Sequence, residues 1–118
     1  MNIDDYAKKA ASTAVYKSLD YPFVLLAEEA GEALGKLNKF ARKNRMCLNT
    51  AIACASQECE SHVELRQSVL LELGDVAWAF VESCRMLGIE PSEVLQMNID
   101  KLASRQKRGV IDGAGDKR

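Results

Sequence analysis

Apolar positions along this chain recur at three- and four-residue spacing, among many Ala, Leu, Glu and Lys, and that period predicts helices rather than strands. A first helix is expected over residues 2–18, with Ile3, Tyr6, Ala10 and Thr13 or Ala14 on one face and Asn2 or Asp4 available to cap it. Asp20-Tyr21-Pro22 breaks the pattern, because the residue before a proline is pushed out of helical geometry while proline suits the first helical position. A second helix should then run over 22–43. Residues 44–61 show helical spacing at Leu48, Ala51, Ile52 and Ala55 but are flanked by polar groups, which predicts only a short helix. Helix formers resume at Glu64 and continue to Met86, where Leu87-Gly88 offers a glycine able to turn left-handed and stop the helix. Ser92 is expected to cap a last helix carrying Val94, Leu95, Ile99 and Leu102 on one side, before Gly109, Gly113 and Gly115 end any regular pattern. The expected architecture is all-α, a bundle of four to five helices, with one domain over 1–108 and a flexible glycine-rich tail over 109–118.

Composition narrows what such a bundle can do. Hydrophobic residues make up 47% and charged residues 28% of the 118, which places the chain among folded domains rather than disordered ones. A formal net charge of -1 supplies no basic field to hold polymeric nucleic acid, so none is expected as a partner. No apolar run approaches the roughly 20 residues that span a bilayer, and residues 1–5 carry two acids where a secretory signal carries bases. A soluble, cytoplasmic protein without a membrane partner is the expectation, with Cys47, Cys54, Cys59 and Cys84 as reduced thiols. His62 follows three of these cysteines in the order C-x6-C-x4-C-x2-H, which lacks the paired short spacings of structural zinc sites. Met46, Met86 and Met97 read as apolar filler.

Two carboxylate groups carry the chemistry. At about 100° per residue, Glu28, Glu29 and Glu32 share one stripe of the second helix with Lys36 and Lys39, while Ala27, Ala30, Leu34, Leu37 and Ala41 occupy the opposite stripe. Like charges three or four residues apart repel; an i,i+4 pair between Glu32 and Lys36 would offset part of this. Glu72 and Asp75 stand three apart in a helix that is apolar almost all round, which predicts partial burial and a cationic partner from elsewhere. A basic helix could supply it. A more economical arrangement sets both groups on neighbouring helices, so that Glu29, Glu32, Glu72 and Asp75 together bind hard cations, Mg²⁺ or Mn²⁺ rather than zinc. Mg²⁺ in proteins is commonly shared with phosphates, so the implied substrate is a polyphosphate. The wheel turns Trp78 away from these acids, as a core or interface residue rather than a platform for a base.

The elements Glu28-Glu29-Ala30-Gly31-Glu32 and Glu72-Leu73-Gly74-Asp75, in the settings LAEEAGEALGKLNK and LLELGDVAWAF and followed by NIDKLASRQKRGVIDGAGDKR, resemble the signature of the MazG-like all-α nucleoside triphosphate pyrophosphohydrolases. The resemblance covers most of residues 13–118 and is similar to the short, phage-type or stand-alone members. It implies a homodimer or homotetramer that cleaves a nucleoside triphosphate between its α- and β-phosphates, with guanine deoxynucleotides such as dGTP the first substrates to try. It assigns Glu29, Glu32, Glu72 and Asp75 to Mg²⁺, and leaves Glu28 and Glu29 as the acids that orient the attacking water. Asn98, Lys101 and Arg105 become triphosphate contacts, alongside the basic run that begins at Lys36 and Lys39. The tail, with Asp116 and Arg118, is expected to close over the nucleotide, since glycines let backbone approach phosphates. One departure stands out: 39 residues separate Glu32 from Glu72, more than the family's spacing, with the excess after Arg45. Two alternatives remain at this point, a dUTP or dCTP pyrophosphatase of the same superfamily, and a non-catalytic helical oligomerisation module.

Overall fold

The computed structural model describes residues 1–56 and 60–116, and every regular element among them is helical. Five α-helices follow one another: α1 (Ile3–Ala11), α2 (Tyr21–Lys43), α3 (Leu48–Ser56), α4 (Val63–Met86) and α5 (Pro91–Arg108), with a 3₁₀ turn at Glu60–His62 ahead of α4. Among the described residues no helix is long and apolar enough to cross a membrane.

The expected first helix is seven residues too long. It stops at Ala11 because Ser12 and Thr13 turn their hydroxyls back to donate to the carbonyls of Lys9 and Ala10, each at 2.7 Å. Asn2 is the N-cap, accepting from the amide of Asp5. Asp4 does a different job. The expected cap at Ser92 does not form; Glu90 holds the N-cap position of α5 without a side-chain bond, and the Asp4 carboxylate reaches over from α1 to accept from the Ser92 amide at 3.0 Å. Hydrogen bonds from Ser92 accordingly hold the Asp4 carboxyl below its usual pKa. The expected short helix within 44–61 is α3, and Gly88, at φ 68°, ends α4 as anticipated.

The antiparallel pair α2 and α4 is the spine, and α3 folds back against both. Small side chains let the elements approach closely: Ala33 and Ala41 on α2, Ala51 on α3 and Ala79 on α4 are all buried. At the C-terminal end of α4, α1 and α5 pack against it and against each other. The stripe that was expected to oppose the acids divides. Ala41 is buried and Leu37 half-buried, but Ala27, Ala30 and Leu34 face solvent, because α2 turns an intermediate face with Ala33 toward α4.

An ionic cluster built on one buried carboxylate ties the loop between α1 and α2 to α4. Glu82, wholly buried in α4, accepts from Tyr16 Oη at 3.0 Å and from Arg85 Nε at 2.8 Å, while Arg85 also donates to the Tyr16 hydroxyl. Tyr16 stacks on Tyr21 with centroids 5.2 Å apart and meets Trp78 edge-on at 6.0 Å. Trp78 Nε1 in turn donates to Thr13 Oγ1 at 2.9 Å. The Arg85 hydrogen bonds hold the Glu82 carboxyl below its ordinary pKa, so this stabilisation is present above the unfolded carboxylate range and is lost as pH falls through the depressed value. Glu82→Ala should lower unfolding free energy by about 2–4 kcal/mol, since it leaves a cavity and strips partners from Tyr16 and Arg85. Urea titration checks this; a loss near zero would show that the cluster does not hold the loop.

Candidate functional site

Antiparallel packing of α2 on α4 converts two sequence-distant motifs into one cluster. Ligand oxygens of Glu29, Glu32 and Glu72 lie within 4.8 Å of one another. Glu29 and Glu72 are half-buried and Glu32 is exposed, so the group sits at the rim of the helix pair rather than in its interior. Asp75 stands outside that close triad and is exposed, contrary to the burial expected of it. It remains near enough to act on Glu29 and on Tyr6 of α1, whose hydroxyl is pushed up in pKa mainly by burial and then by the Asp75 charge. Glu28 is exposed beside the cluster.

The charges do not balance. Glu29 is raised above its ordinary pKa, first by burial and then by the negative charges of Glu32, Asp75 and Glu72, with a hydrogen bond to Glu72 in the same direction. A cation enters the group from the neighbouring helix: Lys36 Nζ lies 3.2 Å from Glu72, whose side chain is only 12% exposed. The expected i,i+4 partnership of Lys36 with Glu32 is thus replaced by a bridge between helices. Among the described residues, these four carboxylates and the Lys36 ammonium leave a local excess of negative charge when all are ionised.

Fit to a hard divalent cation is good in kind and near in dimension. All donors are carboxylate oxygens, and Mg²⁺ with ligands at about 2.1 Å sets opposite ligands about 4.2 Å apart. Small side-chain rotations, most easily of the exposed Glu32, cover the remaining difference from 4.8 Å.

Two open pockets flank the acids along the spine. Toward the α4 N-terminus, Lys36, Lys39 and Lys43 line a groove of about 480 Å³ with Phe40, Asn44 and Ser68. Lys43 belongs to the same basic run of the sequence as Lys36 and Lys39. Toward the α2 N-terminus, Asp75 shares a pocket of about 600 Å³ with Tyr16, Tyr21, Trp78, Thr13 and Leu25. Trp78 thus shares this pocket with Asp75, the acid outside the close triad. Tyr16 and Tyr21 carried no motif in the sequence; the stacked pair becomes visible only because α1 ends early and its loop returns to α4.

The remaining expected contacts gather elsewhere. Lys101 and Arg105 of α5 both donate to Asp116 of the tail, at 3.1 and 3.0 Å, so their polar partner is the tail rather than the acidic cluster. Asn98 is exposed on α5, and Arg118 lies outside the described residues. Among the cysteines, Cys47, Cys54 and Cys84 are free thiols, and Cys59 lies outside the described residues. His62 packs edge-on against Phe40 at 6.0 Å.

Comparison with known proteins adds one relative. The chain is 33% identical to the "Gene 37 protein" of Mycobacterium phage L5 over an alignment of 127 residues that takes in the whole of both chains. This chain belongs to the family of that phage protein. The phage source of the relative agrees with the phage-type expectation. No family model and no solved structure matches the chain.

The raised pKa of Glu29 yields a signed test. Glu29 binds its proton more tightly folded than unfolded, so metal-free protein loses stability from this group as pH rises from below 4.5 through the raised value. Glu29→Gln should match the parent at acid pH and become more stable than it toward neutrality in metal-free buffer, by roughly 0.2–0.5 kcal/mol for each repelling neighbour. Paired urea titrations across pH measure the difference, in which the opposite trend from Glu82 cancels. A variant less stable than the parent at neutral pH would mean that the acids are not strained together.

Proposed function

We propose that this protein hydrolyses nucleoside triphosphates to the monophosphate and pyrophosphate with Mg²⁺, for which Mn²⁺ can substitute. The observation that carries the reading is the convergence of Glu29, Glu32 and Glu72, with Asp75 near them, beside Lys36. Bound divalent cations would neutralise the phosphate oxygens and supply an activated water. Glu29, Glu32, Glu72 and Asp75 hold them. Glu28, exposed beside the cluster, is left to orient the attacking water together with Glu29.

The flanking pockets orient the substrate. Lys36, Lys39 and Lys43 suit the outer phosphates, while the ring faces of Tyr16, Tyr21 and Trp78 suit a base. From Leu25 to Lys36 the α2 axis advances about 16 Å at about 1.5 Å per residue, which separates the aromatic end from the lysine end. Guanine deoxynucleotides are the first candidates, with dUTP and dCTP next; aromatic stacking accepts every base.

A homo-oligomer belongs to the same proposal. Leu34, Leu70, Leu71 and Leu73 on the spine are 46% to 61% exposed. The radius of gyration is 17.2 Å where a compact chain of this length has about 13–14 Å. A second copy would cover this apolar surface. Sedimentation should give a dimer or larger species that Leu71→Arg shifts toward monomer; a monomeric parent at micromolar concentration would remove this part.

The second reading, a non-catalytic helical module, draws support from the Lys36–Glu72 bridge. The two readings differ over metal. Millimolar Mg²⁺ should raise the Tm of the enzyme by mass action, and Asp75→Asn should reduce pyrophosphate release at least about a hundredfold while keeping the helical fold. A panel of natural triphosphates, scored for pyrophosphate, checks both activity and base preference. Full turnover in Asp75→Asn, or no release from any triphosphate, would reject the site.

A further inference from the structure

Glu32 and Lys36 stand one turn apart on α2, a spacing that lets them pair on their own helix. Lys36 instead crosses to α4, where its Nζ lies 3.2 Å from Glu72 Oε1. The carboxylate it meets belongs to the acidic triad, in which ligand oxygens of Glu29, Glu32 and Glu72 lie within 4.8 Å of one another. The ammonium therefore sits at the edge of the carboxylates that would hold a divalent cation.

Two features make that ammonium a replaceable occupant. The Lys36 side chain is 45% exposed, so returning it to water costs little, whereas the Glu72 side chain at 12% gains from a cation held against it. Lys36 also lines the open groove with Lys39, Phe40 and Lys43, so its flexible stem has solvent on that side when the bridge opens. A divalent cation brings twice the charge to the carboxylate, at about 2.1 Å, and repels an ammonium left beside it.

We propose that Lys36 is a stand-in for the metal: its ammonium holds the acids of α2 and α4 together in the metal-free protein and is expelled toward Lys39 and Lys43 when a divalent cation binds. This role rests on the reading of the acids as a metal centre, and adds to it a lysine that competes with the ion. Metal loading and the arrival of the Lys36 ammonium in the groove then become one event. The apparent affinity for metal is lowered according to the fraction of protein in which the bridge is closed.

The test reads metal binding alone, with no nucleotide present. Electron paramagnetic resonance of free Mn²⁺ should show Lys36→Met binding the ion about tenfold tighter than the parent, since the variant removes a positive charge that the incoming dication must displace. Lys39→Met, which removes the same charge from the same helix and groove without opening the Lys36–Glu72 bridge, should gain much less. In the parent, Mg²⁺ should raise acetylation of Lys36 by dilute sulfosuccinimidyl acetate severalfold and leave that of Lys43 nearly unchanged, as read by peptide mass spectrometry. This second measurement needs no variant to fold. Unchanged or weaker Mn²⁺ binding by Lys36→Met, a gain matched by Lys39→Met, or Lys36 acetylation that Mg²⁺ does not raise would overturn the stand-in, while Mn²⁺ binding by the parent would leave the metal centre in place. Absence of Mn²⁺ binding from the parent and Lys36→Met alike would overturn both.

Discussion

Close packing of α2 on α4 brings together acids that would separate if each helix were free. Small residues at Ala33, Ala41 and Ala79 allow the approach, and helical spacing then fixes Glu29 and Glu32 one turn apart opposite Glu72. Repulsion at the rim is thus sustained by burial along the rest of the contact. Lys36 offsets part of it, and the raised Glu29 carboxyl records what is left. Apolar packing is non-directional and spread over many contacts, so it can tolerate a local electrostatic cost at the rim.

The loop from α1 to α2 is held by another principle. Glu82 is buried but well served, by a phenol and a bidentate guanidinium, and an ionic group satisfied in this way fixes direction more than it adds stability. Its orientation of Tyr16 sets the ring against Tyr21 and Trp78, which gives the pocket beside Asp75 a rigid aromatic wall. Helix packing places the acids, and a buried hydrogen-bond network shapes what lies next to them.

Much of this was legible in the residues. The boundaries of α2, α4 and α5 follow from Pro22, Gly88, Pro91 and Gly109, each of which acts through its own backbone, and the grouping of Glu29, Glu32 and Glu72 follows from periodicity plus an antiparallel pairing. The misreadings share one cause, competition from distant groups. Nothing local ends α1 decisively; Ser12 and Thr13 do so once Tyr16 has Glu82 and Arg85 to bind. Ser92, expected to cap α5 with its side chain, instead offers its own amide to the Asp4 carboxylate, 88 residues away in sequence. Lys36 preferred Glu72 over the neighbouring Glu32, because a half-buried carboxylate gains more from a partner than an exposed one. A helical wheel gives the direction of Trp78 about one axis and is blind to the loop that returns beside it, which supplies its contacts with Thr13 and Tyr16.

The distribution of polarity across the molecule links these observations. Acids and lysines line the open side of the spine, whereas Leu70, Leu71 and Leu73 of the same helix stay exposed on other sides. A helix apolar almost all round is stable in water only if most of its circumference is covered, and α2, α1 and α3 cover part of it here. The extended dimensions, 44 × 43 × 27 Å, follow from that incompleteness. On the oligomeric reading proposed above, the charged rim is the portion of α4 left free once copies assemble. Charge and apolar surface then have separate roles on one helix, the first to receive a ligand and the second to join subunits.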